Sequence, residues 1–159
     1  MNRNYGIQTI DENSPQLLEA LQLVIDVFLE FEAPDYCDEG IMEFKNYIES
    51  DAIIKMLRKN EIFIWGCINE KKVIGVIATK QPCHISLLFV DKLYHKQGIA
   101  RELYNTVVSY YMEKSNYTEM TVNSSPYAVE VYHKLGFTDT NNEQTVNGIR
   151  FIPMKCIFR

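Results

Sequence analysis

No apolar run in this 159-residue chain can cross a bilayer: the richest, IFIWGCI at 62–68 and VIGVIA at 73–78, fall far short of the ~20 residues a spanning helix needs. The opening residues are polar and lack the apolar segment of an export signal, so a cytoplasmic protein with no membrane partner is expected. Cysteine is sparse, at positions 37, 67, 83 and 156 with no C-x-x-C pair, and the three histidines at 84, 95 and 133 have no zinc-finger spacing. Neither a metal nor a disulfide is expected; Cys67 and Cys83 sit in apolar runs as buried, reduced, small hydrophobes. Positive charge is not in excess: 16 Lys and Arg against 21 Asp and Glu leave a net charge of −5, which argues against a nucleic-acid partner. Repeats, low-complexity tracts and charge blocks are also missing.

What is present suits one globular unit over 1–159, because a 47% apolar content fills a single core without staples. Tyr5 to Ile10 reads as a strand. Ser14 as N-cap and Pro15 at the first helical position then open a helix with Leu17, Leu18, Leu21, Val24, Ile25 and Phe28 at helical spacing. Beyond an acidic break, two short helical patterns run from Ile41 to Glu49 and from Asp51 to Asn60. From Glu61, three runs rich in β-branched and aromatic residues form a strand meander whose first turn is Asn-Glu-Lys-Lys.

Gly98 to Lys114 places Ile99, Leu103, Val107 and Tyr111 on one helical line. The segment YTEMTVNSS reads as a strand, and Pro126 opens a helix whose Ala128, Val131, Tyr132 and Leu135 share a face, with Gly136 as a left-handed cap. Strands around Phe137 to Thr140 and through GIRFIPMKCIF close the sheet. The fold class is α+β: a mixed, mainly antiparallel central sheet with helices on both faces.

One junction has the makings of an anion site. The apolar strand Ile85 to Val90 runs through Asp91 to Tyr94 into HKQGIAREL, so a single glycine stands at the mouth of a long helix. A helix's first turn offers unpaired N–H groups and partial positive charge, Gly98 lets a ligand approach the backbone, and His95, Lys96 and Arg101 add donors. The junction lacks both GxGxxG and GxxxxGK[ST], and by itself it is equally an ordinary capped helix.

FVDKLYHKQGIARELY resembles the cofactor motif of the GNAT N-acyltransferase superfamily, in which a valine-ended strand leads to [Q/R]-x-x-G-x-[G/A]; His95, Gly98 and Ala100 take those positions, with His95 replacing the usual Gln or Arg. VNSSPYAVEVYHKLGF is similar to the family's later segment ending in F-Y-x-K-L-G-F, and the element order agrees over nearly the whole chain. The resemblance implies a GNAT-like fold and an acetyl-CoA site. Pyrophosphate would lie on the amides of His95, Lys96, Gln97, Gly98, Ile99 and Ala100 beside Arg101, and pantetheine would pair with the backbone of Leu88, Phe89 and Val90 like an added strand. An N–H at Phe89 or Val90 would face the thioester oxygen, and Asn123 would bind cofactor or water.

The resemblance makes Tyr132 the general acid that protonates the departing thiolate; by spacing alone it is a core aromatic. His84, six residues before Val90, is the candidate base or proton relay for an ammonium, with a structural strand-end histidine as the other reading. Residues 84, 86, 88 and 90 share a face only if the strand carries no bulge. Glu30, Glu32, Asp35, Asp38 and Glu39, with Phe31 and Tyr36, occupy a region that borders the acceptor pocket in similar proteins, where a cationic amine would suit them; they are equally a solvated loop surface. The implied activity is direct acetyl transfer to the primary amine of a small molecule or peptide. A non-catalytic acyl-CoA sensor on the same fold is the alternative, and the oligomeric state stays open, a homodimer included.

Overall fold

The structure, a computed structural model, describes residues 4–159. Strand β1 (Tyr5–Ile10) leads to helix α1 (Leu17–Val27), which continues through a π-helical turn, Phe28–Glu32, and a 3-10 turn, Ala33–Asp35. Helices α2 (Asp38–Tyr47) and α3 (Ser50–Arg58) follow. The meander β2 (Ile62–Asn69), β3 (Lys72–Lys80) and β4 (His84–Val90) comes next, then α4 (Ile99–Lys114), β5 (Glu119–Ser124), α5 (Val129–Leu135), β6 (Thr138–Asp139), β7 (Gln144–Val146) and β8 (Ile149–Ile157). The sheet order is β1-β2-β3-β4-β5-β8-β6, with β7 on β8, and every pairing is antiparallel except β4 with β5.

Two apolar layers cover the sheet. Ile99, Leu103, Val107 and Tyr111 of α4 are buried on one face with Tyr132 and Leu135 of α5, and Leu17, Leu21 and Val24 of α1 and Phe28 of the π-helical turn are buried on the other with Ile53 and Leu57 of α3. The expected mixed, mainly antiparallel sheet with helices on both faces is therefore the observed architecture. Leu18 departs from its expected buried stripe and stands 66% exposed. Among the described residues no helix is long and apolar enough to cross a membrane, and no group of His, Cys, Asp and Glu is arranged to hold a metal ion. Cys67 and Cys83 are buried free thiols, and burial pushes both up to about 11.

Several boundaries move for local reasons. Helix α1 starts at Leu17 because the Ser14 hydroxyl accepts from the Asp11 N–H (2.9 Å) within a turn rather than capping the helix. Helix α2 begins three residues earlier than the apolar spacing suggests, and Asp38 and Glu39 in its first turn complement the positive helix end. Glu49 is not the end of α2 but the N-cap of α3, accepting from the Ala52 N–H at 3.2 Å. Helix α5 begins at Val129, beyond Pro126, because Ser125 holds the preceding turn by accepting from the Ala128 N–H at 3.2 Å.

Strand β4 carries a bulge. Ala78 of β3 pairs with Leu87 while Thr79 pairs with Ile85, leaving Ser86 as the extra residue. Strand β4 then meets β5 only at His84↔Thr121 and Ile85↔Val122; beyond those pairs the strands part, and the groove opens between them. At the far end of the sheet the β7–β8 turn docks on α2. A Cβ built at Gly40 would lie 2.1 Å from the Gly148 carbonyl oxygen, and Gly148 itself has φ +79, so only glycine serves at both positions.

Candidate active site

The parting of β4 and β5 produces two adjoining cavities. A groove of about 240 Å³ is lined by Leu88, Phe89 and Val90 of β4, by His95, Lys96 and Ala100 at the mouth of α4, and by Tyr127, Ala128, Val131, Tyr132 and Lys134 around α5. A chamber of about 120 Å³ lies beside it, walled by Tyr36, Phe44, Ser86, Val122, Asn123, Ser125 and Ile149. Glu32, Leu88, Phe89, Ala128 and Tyr132 line both, so they form the boundary between the two spaces. Val131, expected on the buried face of α5, is instead 40% exposed because it faces the groove.

Gly98 caps α4 in the left-handed region at φ +84, with open space where a Cβ would point. The ladder of α4 starts with Glu102 N–H donating to the Gly98 carbonyl at 3.0 Å, so the N–H groups of Ile99, Ala100 and Arg101 have no acceptor within the helix. These free N–H groups lie where the anion cradle was expected. Its side chains divide: His95 and Lys96 line the groove, Ile99 is buried in the core, Gln97 donates to the Leu93 carbonyl (3.3 Å), and the Arg101 guanidinium donates to the Lys134 carbonyl. The Arg101 side chain thus ties α4 to the end of α5. Phe31, from the π turn, lies with its ring centroid 5.3 Å from those of both His95 and Tyr127, bridging the groove's two walls.

The β4 backbone presents its polar groups in a fixed alternation. Asp91 N–H donates to the Ile74 carbonyl at 2.9 Å, which turns Phe89 toward β3 as well and leaves the N–H and carbonyl of Val90 and Leu88 facing the open splay. Of the two N–H groups expected near the thioester, that of Val90 faces the splay and that of Phe89 faces β3. Its carbonyl accepts a hydrogen bond from His95 Nε2 at 2.7 Å, which fixes the proton on that ring nitrogen and leaves Nδ1 for other partners.

His84 stands elsewhere. Its Nδ1 pairs with the Thr121 hydroxyl at 2.8 Å at the closed end of the splay, and it lines neither cavity. The Ser86 bulge breaks the parity that would have placed 84, 86, 88 and 90 together: Ile85 packs on the α4 layer, while Leu87 and Phe89 pack on the α1 layer. Burial, followed by the neighbouring Lys80 charge, lowers the His84 pKa. Asn123 lines the chamber rather than the groove.

The acidic connection also divides. Glu30 pairs with Lys92 at 3.1 Å, and Asp38 and Glu39 are exposed on the first turn of α2. Glu32 alone among these acids lines the two cavities. The π turn, closed by Ala33 N–H on the Phe28 carbonyl, carries it there. Burial raises its carboxyl to about 7 against a partly opposing hydrogen bond from Ser125. Burial, then the Glu32 charge, raises the Tyr132 phenol well above its ordinary range, so it remains protonated. A sequence signal for Glu32 existed: it stands four residues after Phe28, where the buried stripe 17, 21, 24, 28 calls for an apolar residue.

The model of the acetyltransferase (GNAT) domain family matches residues 32–158. A GCN5-related N-acetyltransferase structure from Rhodopseudomonas palustris superposes with a TM-score of 0.80 at 15% identity, covering 99% of this chain and 98% of that one. PaiA N-acetyltransferase from Thermoplasma acidophilum, solved with coenzyme A, gives 0.78 at 16% identity over 98% and 100% of the two chains. An aminoglycoside 6'-N-acetyltransferase complexed with coenzyme A gives 0.66 at 14% identity over 96% of each. No curated protein matches the chain.

Proposed function

The chain belongs to the GNAT acetyltransferase family, and we propose that it moves the acetyl group of acetyl-CoA directly to a primary amine, without a covalent enzyme intermediate. Acetyl-CoA supplies the activated acyl group. The N–H groups at the mouth of α4, with Lys96, hold the pyrophosphate, and the outward-facing backbone of Leu88 pairs with a pantetheine amide. Val90 N–H meets the thioester oxygen as negative charge gathers on it. Tyr132, kept protonated by burial and by Glu32, donates to the departing thiolate.

For the other proton the reading favours Glu32 over His84. A primary ammonium has a pKa of about 10.4, and a carboxylate titrating at about 7 both binds the ammonium and relays its proton at neutral pH. His84, turned toward Thr121 outside both cavities, serves the β4–β5 junction. The observation that carries the proposal is the shared wall: Glu32 and Tyr132 stand where the groove between β4, α4 and α5 meets a separate chamber. In the test, acetyl-CoA raises the melting temperature and an amine panel releases free CoA. Stabilisation without release across the panel would replace the enzyme with an acyl-CoA sensor.

A further inference from the structure

Resting on the acetyltransferase reading, we propose that the acceptor is a compact primary monoamine without a carboxylate: one cationic nitrogen on an apolar body about the size of a benzene ring. The chamber of about 120 Å³ caps the size: it is smaller than the roughly 150 Å³ apolar cavity that accommodates benzene, so the body is one ring at most, with the nitrogen at the Glu32–Tyr132 boundary. Its shape is fixed by the core. The Phe44 ring stacks on buried Phe28 at 3.9 Å and meets Phe89 at 5.9 Å, so this wall does not yield without disturbing the α1 layer.

Charge sets the class. Among the described residues lining the chamber, Glu32 is the one carboxyl, half ionised near pH 7 and largely anionic at pH 8; Tyr36 and Tyr132 are held as neutral phenols by burial and neighbouring acids, and Ser86, Asn123 and Ser125 are neutral. One carboxylate answers one ammonium. A second ammonium, as in a polyamine, finds no second anion there, and a substrate carboxylate meets Glu32 with no cation to offset it. Arg150, the basic residue next to Ile149, is committed to Glu143 at 3.1 Å and to the Asp35 carbonyl at 2.9 Å and does not line the chamber. Of the remaining acids of the 30–39 connection, Glu30 pairs with Lys92 at 3.1 Å, and Asp35, near enough to act on Glu32 and Tyr36, stands behind the wall rather than in it.

The test compares amines of matched shape with the purified protein and acetyl-CoA at pH 8, reading CoA release. Benzylamine and phenylglycine share a body and differ by the carboxylate; spermidine and a short peptide with a free N-terminus complete the panel. The expected result is a kcat/KM for benzylamine on the order of 10²-fold above the other three. Equal or better turnover of phenylglycine, spermidine or the peptide overturns the inference and leaves the acetyltransferase reading standing. Acetyl-CoA binding with no amine acetylated overturns both. Ile149→Arg places a cation in the wall and is expected to narrow the benzylamine-to-phenylglycine ratio at least about tenfold; an unchanged ratio counts against the charge argument.

Discussion

Glu32 and Tyr132 share the boundary between the two cavities, and the carboxylate of the first helps hold the phenol of the second in its protonated form. One π-helical turn after α1 and one turn of α5 thus bring an acid that titrates near neutrality against a proton donor that does not. Environments that separate the titrations of two neighbouring groups also separate their roles.

Tyr132→Phe removes the proton donor while keeping the ring that packs edge-on against Phe137 at 5.5 Å. Turnover is expected to fall by about 10² to 10⁴, with acetyl-CoA affinity nearly unchanged. Steady-state kinetics with calorimetric cofactor titration checks this, and undiminished turnover would remove Tyr132 from the chemistry.

On the proposed role, Glu32 is expected to set the pH profile. With its carboxyl near 7, kcat/KM rises as pH climbs through that value and the carboxylate form accumulates. Glu32→Gln is expected to lose this limb and about 10²-fold in rate at pH 7.5, the loss shrinking as the amine deprotonates unaided. His84→Ala is expected to keep the limb, since its ring lies outside both cavities. A limb that vanished with His84 and survived without Glu32 would reverse the assignment.

The same carboxyl leaves a mark on stability. Folding raises its pKa from the ordinary 4.5 to about 7, so between those values the folded chain keeps a proton that the unfolded chain has lost. Stability from this group is complete below about 4.5 and is lost as pH rises through 7. Glu32→Gln is therefore expected to be more stable than the parent at pH 8 by on the order of 1–3 kcal/mol, discounted because the carboxyl borders a groove, and little different at pH 4.5. Thermal melts at the two pH values test it, and a destabilised variant at pH 8 would contradict the burial argument.

Gly40→Ala places a methyl against the Gly148 carbonyl and is expected to push the β7–β8 turn off α2. The cost is about 1–3 kcal/mol, with a raised KM for the amine and an unaltered affinity for acetyl-CoA. Equal shifts in both constants would show that the turn supports the whole groove rather than the chamber.

Most of this architecture was legible in the sequence because it is local. The α4 line Ile99, Leu103, Val107, Tyr111 and the cap glycines 98 and 136 state their conformations through spacing and backbone preference, and both glycines have positive φ. The Ser86 bulge was not legible, since register belongs to a pair of strands and one strand's residues do not encode it; with it went the expected facing of His84. Glu32 was visible only as one acid among several. Which of them turns inward depends on the wider π turn, and it is the residue occupying an apolar place in the α1 stripe that does so.

The close approach of Gly40 and Gly148 also gives the two cavities different origins in the chain. The β4, α4 and α5 walls of the groove come from one continuous stretch, 88–134, whereas the chamber adds to residues of that stretch Tyr36, Phe44 and Ile149, from two segments clasped together by two residues without side chains. On the proposed reading, a change in the terminal hairpin is therefore expected to reshape the chamber while the β4, α4 and α5 walls of the groove stay in place.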